Sequence, residues 1–381
     1  MSETRISGID PRTERGICVT VVDGVIARMD DAECAADLYL SPGLVDLQVN
    51  GFAGHDLNAE SISVETLPSL IDALLQCGVT TVVPTLITAS EEKLCAKLKT
   101  LAESRRTNRA VAACVPFVHV EGPHISSLDG YRGAHPAEFV RPPNISEFDR
   151  WQDAADGLVG MVTLSPHFDG SCDYIAALVQ RGVHVALGHT HASPEQIRSA
   201  VEAGARLSTH LGNGIAQQIP RHCNPIWSQL ADDRLTATFI SDGHHLPAEV
   251  LRAMLRAKGL DRSVLVSDLV ALAGMPPGEY TSPIGGRVEL RPDGRLCIAG
   301  TELMAGSTTA LAQCVARAVQ ITGIGLGDAI AMATETPGKF AGGRGLLSIG
   351  SRADLMRFRC KEELVVEQVW LAGESVFSAK R

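Results

Sequence analysis

The sequence is short of aromatic residues and of positive charge. Phe, Trp and Tyr together make up 4% of the 381 residues, and the formal net charge is −10. Proteins that bind single-stranded nucleic acid stack bases on aromatic side chains, and proteins that bind the phosphate backbone carry a basic surface. Both shortages argue against nucleic acid as a partner.

Closely spaced cysteines and long apolar runs are also missing. The ten cysteines all lie at least 16 residues apart, so the sequence holds no C-x-x-C motif for zinc or redox chemistry. Scattered reduced thiols are typical of a cytoplasmic protein, which is the location we expect. No apolar run reaches the roughly 18 residues of a transmembrane helix, and residues 1–15 lack the apolar segment of a signal peptide. We therefore expect no membrane partner.

From residue 43 the sequence alternates β-rich apolar runs with amphipathic helical stretches. The eight β-rich runs are residues 44–49, 79–85, 111–120, 158–164, 183–187, 205–209, 236–240 and 263–266. Eight alternating strand–helix units predict an α/β fold with a closed parallel sheet, the (β/α)8 TIM barrel. A doubly wound open sheet would need a glycine-rich phosphate turn after its first strand, and Asn50-Gly51-Phe52 is not such a turn.

Local signals mark several further elements. Ser193-Pro194-Glu195-Gln196 predicts a helix that starts with a capping box. Two more helices are predicted after Pro247 and over residues 308–321. Pro292-Asp293-Gly294, between two β-like runs of the segment 276–300, predicts a hairpin inserted before the last helix.

Both ends of the chain have β character. A hairpin signal lies at Asp23-Gly24, and further β-like runs follow residue 353. Because strands at the two ends of a barrel chain can pair, we expect a small β-sandwich domain formed from both chain ends. The predicted domains are residues 1–42 and 346–381 for this β domain and residues 43–345 for the barrel.

Ionisable side chains stand at several of the predicted strand ends. In a TIM barrel the carboxyl ends of all strands meet at one rim, where active residues lie. Glu121 ends the third strand. His189, His210 and Asp268 follow the fifth, sixth and eighth strands. One such residue alone is usually structural, but four at matching positions predict a first-row metal site with nitrogen and oxygen ligands.

Spacing leaves two choices open. His119 shares a strand face with Glu121, and His191 shares one with His189. His119 could be a neighbour of the ligands or part of the barrel filling, and spacing alone cannot choose between His189 and His191.

Two absences bear on the number of metals. Lysine is absent from residues 100 to 257, so the fourth strand offers no bridging lysine for a two-metal site. On the first strand, Gln48 and Asn50 stand where a His-x-His pair would serve a second metal, and neutral amides are poor zinc ligands. One divalent metal per subunit is favoured, with zinc first and iron, manganese or cobalt as alternatives.

A series of short motifs surrounds these residues. It comprises Pro42-Gly43-Leu44-Val45-Asp46, His119-x-Glu121-Gly122-Pro123, Gly188-His189-Thr190, Thr209-His210-Leu211-x-Asn213, Asp242-Gly243-x-His245 and Val266-Ser267-Asp268. Together, over most of residues 40–375, the sequence resembles the amidohydrolase superfamily and, within it, the N-acetylglucosamine-6-phosphate deacetylases.

The resemblance implies a role for each candidate residue. Glu121, His189 and His210 would be the metal ligands, and Asp268 would be the catalytic acid–base. Arg221 and His245 would hold a phosphate group close to the interface of a homodimer. The sugar would lie against Ala134, His135, Asn213, Gly214, Met304, Ala305 and Gly306.

The resemblance also implies a reaction. It is the metal-dependent deacetylation of N-acetylglucosamine 6-phosphate, or of a close N-acetylhexosamine 6-phosphate, to the amino sugar phosphate and acetate. The alternative is an amidohydrolase that acts on a different N-acyl compound or on a cyclic amide. A barrel that binds a ligand without catalysis has far less support. The sequence departs from the family pattern at Gly212, Gly214-Ile215 and 216–223, which bears on the shape of the pocket more than on the chemistry.

Overall fold

Residues 3–380 are described by a computed structural model. In chain order the strands are β1 Glu3–Ile9, β2 Gly16–Val22, β3 Val25–Asp31, β4 Tyr39–Pro42, β5 Leu44–Val49, β6 Gly51–Phe52, β7 His55–Asp56, β8 Val79–Ile87, β9 Val118–Glu121, β10 Val159–Leu164, β11 His184–Leu187, β12 Leu207–Ser208, β13 Thr236–Ile240, β14 Ser263–Val266, β15 Gly278–Ser282, β16 Gly286–Leu290, β17 Leu296–Ile298, β18 Leu355–Cys360, β19 Leu364–Leu371 and β20 Glu374–Ser378. The α-helices are α1 Thr66–Gln76, α2 Glu91–Thr107, α3 Arg109–Cys114, α4 Ile145–Ala154, α5 Ser171–Gln180, α6 Pro194–Glu202, α7 Pro225–Ala231, α8 Ala248–Lys258, α9 Leu311–Thr322, α10 Leu326–Met332 and α11 Glu335–Gly338.

Eight parallel strands form the barrel. Their order around the sheet is β5-β8-β9-β10-β11-β12-β13-β14. The last strand returns to the first, because the backbone N–H of Asp268 donates to the carbonyl of Gln48 at 3.1 Å and the N–H of Asn50 donates to the carbonyl of Leu269 at 2.8 Å. The predicted (β/α)8 TIM barrel is confirmed.

The barrel core has two layers. Side chains inside the barrel pack together, and they include Val45, Leu47, Val83, Met161, Ala186, Leu207, Ile240, Val264 and Val266. The outward faces of the strands pack against the surrounding helices, and β8 is buried along its whole length. Because both faces are buried, the strands appear in the sequence as continuous apolar runs rather than as alternating ones.

The predicted strand over residues 111–120 is wrong in its first part. The helix α3 occupies Arg109–Cys114, and the strand β9 begins only at Val118. Asn108 starts the helix because its side-chain oxygen accepts hydrogen bonds from the backbone N–H groups of Ala110 at 2.9 Å and Val111 at 3.1 Å. The cap therefore overrides the β preference of the short apolar run.

The small β domain contains strands from both chain ends. They form one seven-stranded sheet in the order β20-β19-β18-β4-β1-β2-β3, in which β4 pairs antiparallel with β18. Side chains from the two ends share one core that includes Ile6, Val19, Ile26, Leu40, Leu355 and Trp370. The prediction that both ends build one β domain is confirmed, while its boundaries at 42/43 and 345/346 stay predictions.

The insertion before α9 is a small antiparallel sheet of β15, β16 and β17. The predicted hairpin around Pro292-Asp293-Gly294 joins β16 to β17, and β15 adds a third strand that the sequence did not reveal. Apolar side chains of this sheet, such as Val288 and Leu296, pack with Ile87 and Val270. Since Ile87 and Val270 lie at the carboxyl ends of barrel strands, the insertion covers part of the rim.

The helix signals are mostly accurate. The capping box of Ser193 and Gln196 is present at the start of α6, and α8 begins directly after Pro247. The helix predicted from residue 308 begins three residues later, at Leu311. Within residues 3–380, no helix combines the length and the apolar character needed to cross a membrane.

A fully buried ammonium group fixes the end of α7. Lys258 of α8 donates to the carbonyl of Gln229 at 2.8 Å and to that of Asp232 at 2.7 Å. These carbonyls lie at the carboxyl-terminal end of α7, where helical backbone acceptors lack intrahelical partners. The contact ties the carboxyl-terminal end of α7 to α8.

We expect Lys258→Met to lower the free energy of unfolding by about 1–3 kcal/mol, because the carbonyl oxygens stay buried and lose their donor. Urea unfolding followed by circular dichroism measures the change. Lys93→Met is the matched control, since Lys93 is 39% exposed in its ion pair with Glu60, and it should change stability by less than about 0.5 kcal/mol. Equal losses in the two variants would contradict this account.

Candidate active site

Four ionisable side chains stand at the carboxyl ends of the barrel strands. Glu121 is the last residue of β9, and His189, His210 and Asp268 each lie two residues past the ends of β11, β12 and β14. The φ angles of these last three residues are +48°, +27° and +50°, in the left-handed region that non-glycine residues rarely adopt. Backbone strain of this kind concentrates at functional sites, where the surrounding structure holds it in place.

The side chains of Glu121, His189 and His210 meet in one buried cluster. Their potential ligand atoms all lie within 4.8 Å of one another. The Oε1 atom of Glu121 lies 3.0 Å from Nε2 of His210 and 3.3 Å from Nε2 of His189. Burial raises the pKa of Glu121, but the hydrogen bonds with the two imidazoles outweigh it and hold that pKa well below its ordinary value. The carboxylate is therefore charged at neutral pH.

The cluster fits a divalent metal. Imidazole nitrogen and carboxylate oxygen are both ligands of first-row metals. Three atoms bound at about 2.0–2.1 Å to a tetrahedral centre lie about 3.4 Å from one another. The separations of 3.0 and 3.3 Å from Oε1 of Glu121 are close to that spacing. Three protein ligands leave a coordination position open, as in catalytic rather than structural zinc sites.

The ring of His189 is held from its other side. Its Nδ1 donates to the carbonyl of Tyr131 at 2.9 Å, so Nε2 donates to Glu121 only when the ring is protonated and turns a lone pair towards the cluster when the ring is neutral. Gly214 packs against the same ring: a Cβ there would lie 2.7 Å from Nδ1, and the φ of +58° also favours glycine. Glycine at position 214 therefore lets the loop before α7 pack directly against a candidate metal ligand. The Nδ1 atom of His210 is buried and has no partner among the described residues, so the two imidazoles are not equally supported.

Two amides hold Asp268 beside the cluster. Nε2 of Gln48 donates to Oδ1 of Asp268 at 3.0 Å and to Oε2 of Glu121 at 3.1 Å, and Nδ2 of Asn50 donates to Asp268 at 2.8 Å. Burial raises the pKa of Asp268 to about 6, and the charge of Glu121 adds to this effect against opposing contributions from nearby histidines. Gln48 and Asn50, which stand where a second metal would bind, thus use their amides to position carboxylates.

The two histidines that spacing left open have other partners. Nε2 of the buried His119 lies 2.8 Å from Oγ1 of Thr163. Nδ1 of His191 lies 2.7 Å from Oγ of Ser126. Neither belongs to the three-residue cluster, which is the group of potential metal ligands found in residues 3–380.

A cavity of about 370 Å³ opens above the cluster. Most residues predicted to contact a sugar line this cavity, and they are Ala134, His135, Asn213, Gly214, Met304 and Gly306. Ala305 is an exception, since it is fully buried in the core beneath the insertion. Six of the seven residues predicted to contact the sugar therefore lie in the cavity wall.

Two further histidines of the cavity wall are oriented by hydrogen bonds. Nδ1 of His245 donates to Oδ2 of Asp242 at 2.6 Å. Nδ1 of His135 lies 2.9 Å from Oγ1 of Thr88. Burial lowers the pKa of His135 to about 3, with the neighbouring imidazole of His189 as a second cause. His135 is therefore a neutral hydrogen-bonding group at physiological pH.

Arg221 lies apart from these residues. It is exposed on the loop before α7 and does not line the cavity of its own subunit. Its carbonyl accepts a hydrogen bond from the indole N–H of Trp227 at 3.2 Å, and Trp227 is 54% exposed. Trp and Arg are residue types that are enriched in protein–protein contacts.

Four polar residues of the cavity wall were not predicted from the sequence. They are Gln217, His244, Arg295 and Glu302. Arg295 and Glu302 belong to the insertion, so no strand-end position marks them. Their place depends on how the insertion packs over the rim, and the only signal in the sequence is a basic residue directly after the hairpin turn.

The fold and this site together define a class of protein. A TIM barrel with a buried carboxylate–histidine cluster and a strand-end aspartate is a hydrolase of the metal-dependent kind. The Amidohydrolase family profile matches residues 39–376. The chain belongs to the amidohydrolase family.

Individual relatives cover nearly the whole chain. N-acetylgalactosamine-6-phosphate deacetylase of Escherichia coli O157:H7 is 32% identical over 367 residues, which is 93% of either chain. Human N-acetylglucosamine-6-phosphate deacetylase is 33% identical over 370 residues, which is 92% of this chain and 86% of the human one. The structure of a mutant N-acetyl-D-glucosamine-6-phosphate deacetylase from Mycobacterium smegmatis, in complex with N-acetyl-D-glucosamine-6-phosphate, is 30% identical and superposes with a TM-score of 0.88 over 99% of this chain and 100% of that chain.

We expect His189→Gln to lose most of the bound metal, because only His189 of the pair 189 and 191 reaches Glu121. Metal content after reconstitution and desalting, measured by mass spectrometry, should fall from about one ion per chain to less than about a tenth of that. His191→Gln is the matched control and should keep the wild-type content. Retention of metal by the first variant, or its loss from the second alone, would refute the assignment.

Proposed function

We propose that the protein removes the acetyl group from an N-acetylhexosamine 6-phosphate, with N-acetylglucosamine 6-phosphate as the first candidate. The products are acetate and the amino sugar phosphate. The observation that carries the proposal is the buried group of Glu121, His189 and His210 next to Asp268, at the floor of a cavity. The relatives named above, which are about 30% identical along nearly the whole chain, act by name on such substrates.

The metal in this proposal is one divalent ion per subunit, with zinc as the first candidate, held by Glu121, His189 and His210. When bound, such an ion polarises the amide carbonyl and makes a water molecule more acidic. Gln48 and Asn50 are not ligands in this assignment, because their amide nitrogens already donate to carboxylates.

Asp268 carries the proton in the proposed reaction. Its carboxylate takes a proton from the attacking water and then gives it to the amine nitrogen that leaves. The amides of Gln48 and Asn50 both contact Oδ1, so Oδ2 is the oxygen free to face the substrate. His135, held neutral by burial, donates or accepts a hydrogen bond at the acetyl or sugar group.

The phosphate contacts in this proposal come from two subunits. His245, oriented by Asp242, contributes from the cavity wall. Arg221 lies outside its own cavity, and we propose that it reaches the cavity of the partner in a homodimer. A guanidinium group suits a phosphate because it can donate two parallel hydrogen bonds.

Two finer assignments complete the proposal. The ten free cysteines of the chain and a phosphorylated substrate both suit the cytoplasm. The proposal covers both the gluco and the galacto epimer of the sugar, since the relatives include deacetylases named for either one. An amidohydrolase acting on an unrelated N-acyl or cyclic amide is not favoured, because the relatives that are about 30% identical along nearly the whole chain are amino sugar phosphate deacetylases.

A substrate panel tests the function. We expect the metal-loaded protein to release acetate from N-acetylglucosamine 6-phosphate or N-acetylgalactosamine 6-phosphate with a kcat/KM at least about a hundred times that for the unphosphorylated sugars, because charged hydrogen bonds to the phosphate are lost. A coupled acetate assay measures the rates. Asp268→Asn should lower kcat by roughly 10²–10⁴-fold.

Metal content is the control for this comparison. The Asp268→Asn protein must bind metal like the wild type, because Asp268 is not one of the proposed ligands. Full turnover by this variant would remove Asp268 from the mechanism. Equal rates with and without the phosphate would remove phosphosugars as the substrate class.

Subunit mixing tests whether Arg221 acts across a dimer. We expect Arg221→Gln alone to raise the KM for the phosphosugar about tenfold or more. The Arg221→Gln and Asp268→Asn proteins are then unfolded and refolded together. Each mixed dimer contains one site that combines an intact Asp268 with the intact Arg221 of the other subunit. A fraction of the activity should then regain the wild-type KM. Failure to regain it, in samples shown by mass to contain mixed dimers, would place the action of Arg221 within its own subunit.

A further inference from the structure

Arg295, a positively charged residue of the cavity wall, has no role in the proposed function. Among the described residues that line the cavity, Arg295 is the only arginine, and no lysine accompanies it. The wall and floor also carry three carboxylates, from Glu121, Asp268 and Glu302, and the whole chain has a net charge of −10. A doubly charged phosphate entering this cavity therefore needs a local positive charge, since the overall field repels it.

The backbone around Arg295 is fixed by the turn of the insertion hairpin. The N–H of Arg295 donates to Oδ1 of Asp293 at 3.0 Å, and its carbonyl accepts from the N–H of Arg291 at 2.9 Å. The carbonyl of Asp293 accepts a hydrogen bond from Nε2 of His244 at 3.2 Å. Because His244 precedes His245, this contact ties the backbone next to Arg295 to the side of the cavity where His245 lies. His245 is the histidine proposed to bind the phosphate.

The guanidinium group of Arg295 is only partly used. One terminal nitrogen, NH1, donates to Oε2 of Glu302 at 2.9 Å. Its Nε is buried and has no hydrogen-bond partner among the described residues. Buried donors of this kind are normally satisfied, and a ligand with several acceptor oxygens would satisfy this one once the side chain turns towards the cavity.

The partner carboxylate does not depend on Arg295 alone. Arg291 also donates to Glu302, from NH2 at 3.0 Å and from NH1 at 3.3 Å. Glu302 would therefore stay paired if Arg295 turned towards a ligand. The exchange leaves no unpaired charge behind, and because the side chain of Glu302 is 64% exposed, losing one of its two ion pairs costs little.

We propose that Arg295 binds the 6-phosphate of the substrate from within the same subunit, together with His245, and so sets the preference for phosphorylated sugars. This inference rests on the proposed function. It differs from the assignment of Arg221, because each cavity then has a phosphate-binding arginine from its own subunit. Arg221 of a partner subunit would be a second one. The insertion becomes the part of the fold that selects the substrate, while the barrel carries the chemistry.

The test compares Arg295→Gln with Arg287→Gln. Arg287 lies on the same hairpin, is 77% exposed and pairs with Glu279 away from the cavity. We expect Arg295→Gln to raise the KM for the N-acetylhexosamine 6-phosphate about tenfold or more, with kcat and the slow turnover of the unphosphorylated sugar unchanged. Arg295→Lys should fall between, since an ammonium keeps the charge but not the paired donors. Arg287→Gln should match the wild type.

Binding measured without turnover separates this inference from the proposed function. Calorimetric titration with glucosamine 6-phosphate and with glucosamine should show that Arg295→Gln weakens binding of the phosphorylated sugar about tenfold and leaves the other unchanged. If the wild type binds the phosphosugar but deacetylates none of the panel, the proposed reaction is wrong. The titration still tests whether Arg295 binds the phosphate. If the wild type is active and Arg295→Gln keeps its KM and its Kd within twofold, the role of Arg295 is overturned. A fall in kcat with an unchanged Kd would overturn it equally, because it would make Arg295 part of the chemistry rather than of phosphate binding.

Discussion

The contact of the Glu121 carboxylate with the imidazoles of His189 and His210 is the interaction on which the rest of the site depends. The carboxylate is 2% exposed, and an isolated charge at that depth would cost several kcal/mol. Nε2–H donors, or a metal bound in place of their protons, offset this cost, and the two imidazoles come from separate strands, so the parallel order β9, β11, β12 sets the distances. The same spacing suits a metal with nitrogen and oxygen ligands. The barrel thus supplies a preorganised donor set, and metal binding requires little rearrangement of the backbone.

Closure of the barrel adds Asp268, the proposed catalytic group, to this donor set. Asp268 follows the last strand and Gln48 lies on the first, so they become neighbours only when β14 returns to β5. A single amide then joins the two functions, because Nε2 of Gln48 donates both to Asp268 and to Glu121. In an open sheet the first and last strands would stand at opposite edges. The fold class is therefore a condition of the chemistry and not merely a support for it.

Much of this architecture could be predicted from the sequence, for reasons that lie in particular residues. Strands buried on both faces give apolar runs such as 44–49 and 236–240, and Glu121, His189, His210 and Asp268 stand directly at or after such runs. The choice between His189 and His191 could not be made, because it depends on a left-handed turn at His189 that no pattern encodes. The start of β9 was misplaced because one Asn108 side chain outweighs a local β preference. Arg295 was missed because its position comes from packing between the insertion and the rim.

The charges of the cavity explain why residues at the strand ends alone do not attract a phosphate. A metal with two neutral imidazoles and one carboxylate keeps one positive charge, and Asp268 cancels it as long as it is ionised. The floor alone therefore offers little attraction for a phosphate dianion at the far end of a sugar. Cations must come from outside the ring of strand ends, and two segments carry them: the hairpin of the insertion with Arg295 and the loop before α7 with Arg221. Loops on a TIM barrel can vary while the strand ends keep their geometry. Recognition of the phosphate and hydrolysis of the amide are thus assigned to structurally separate parts of the same chain.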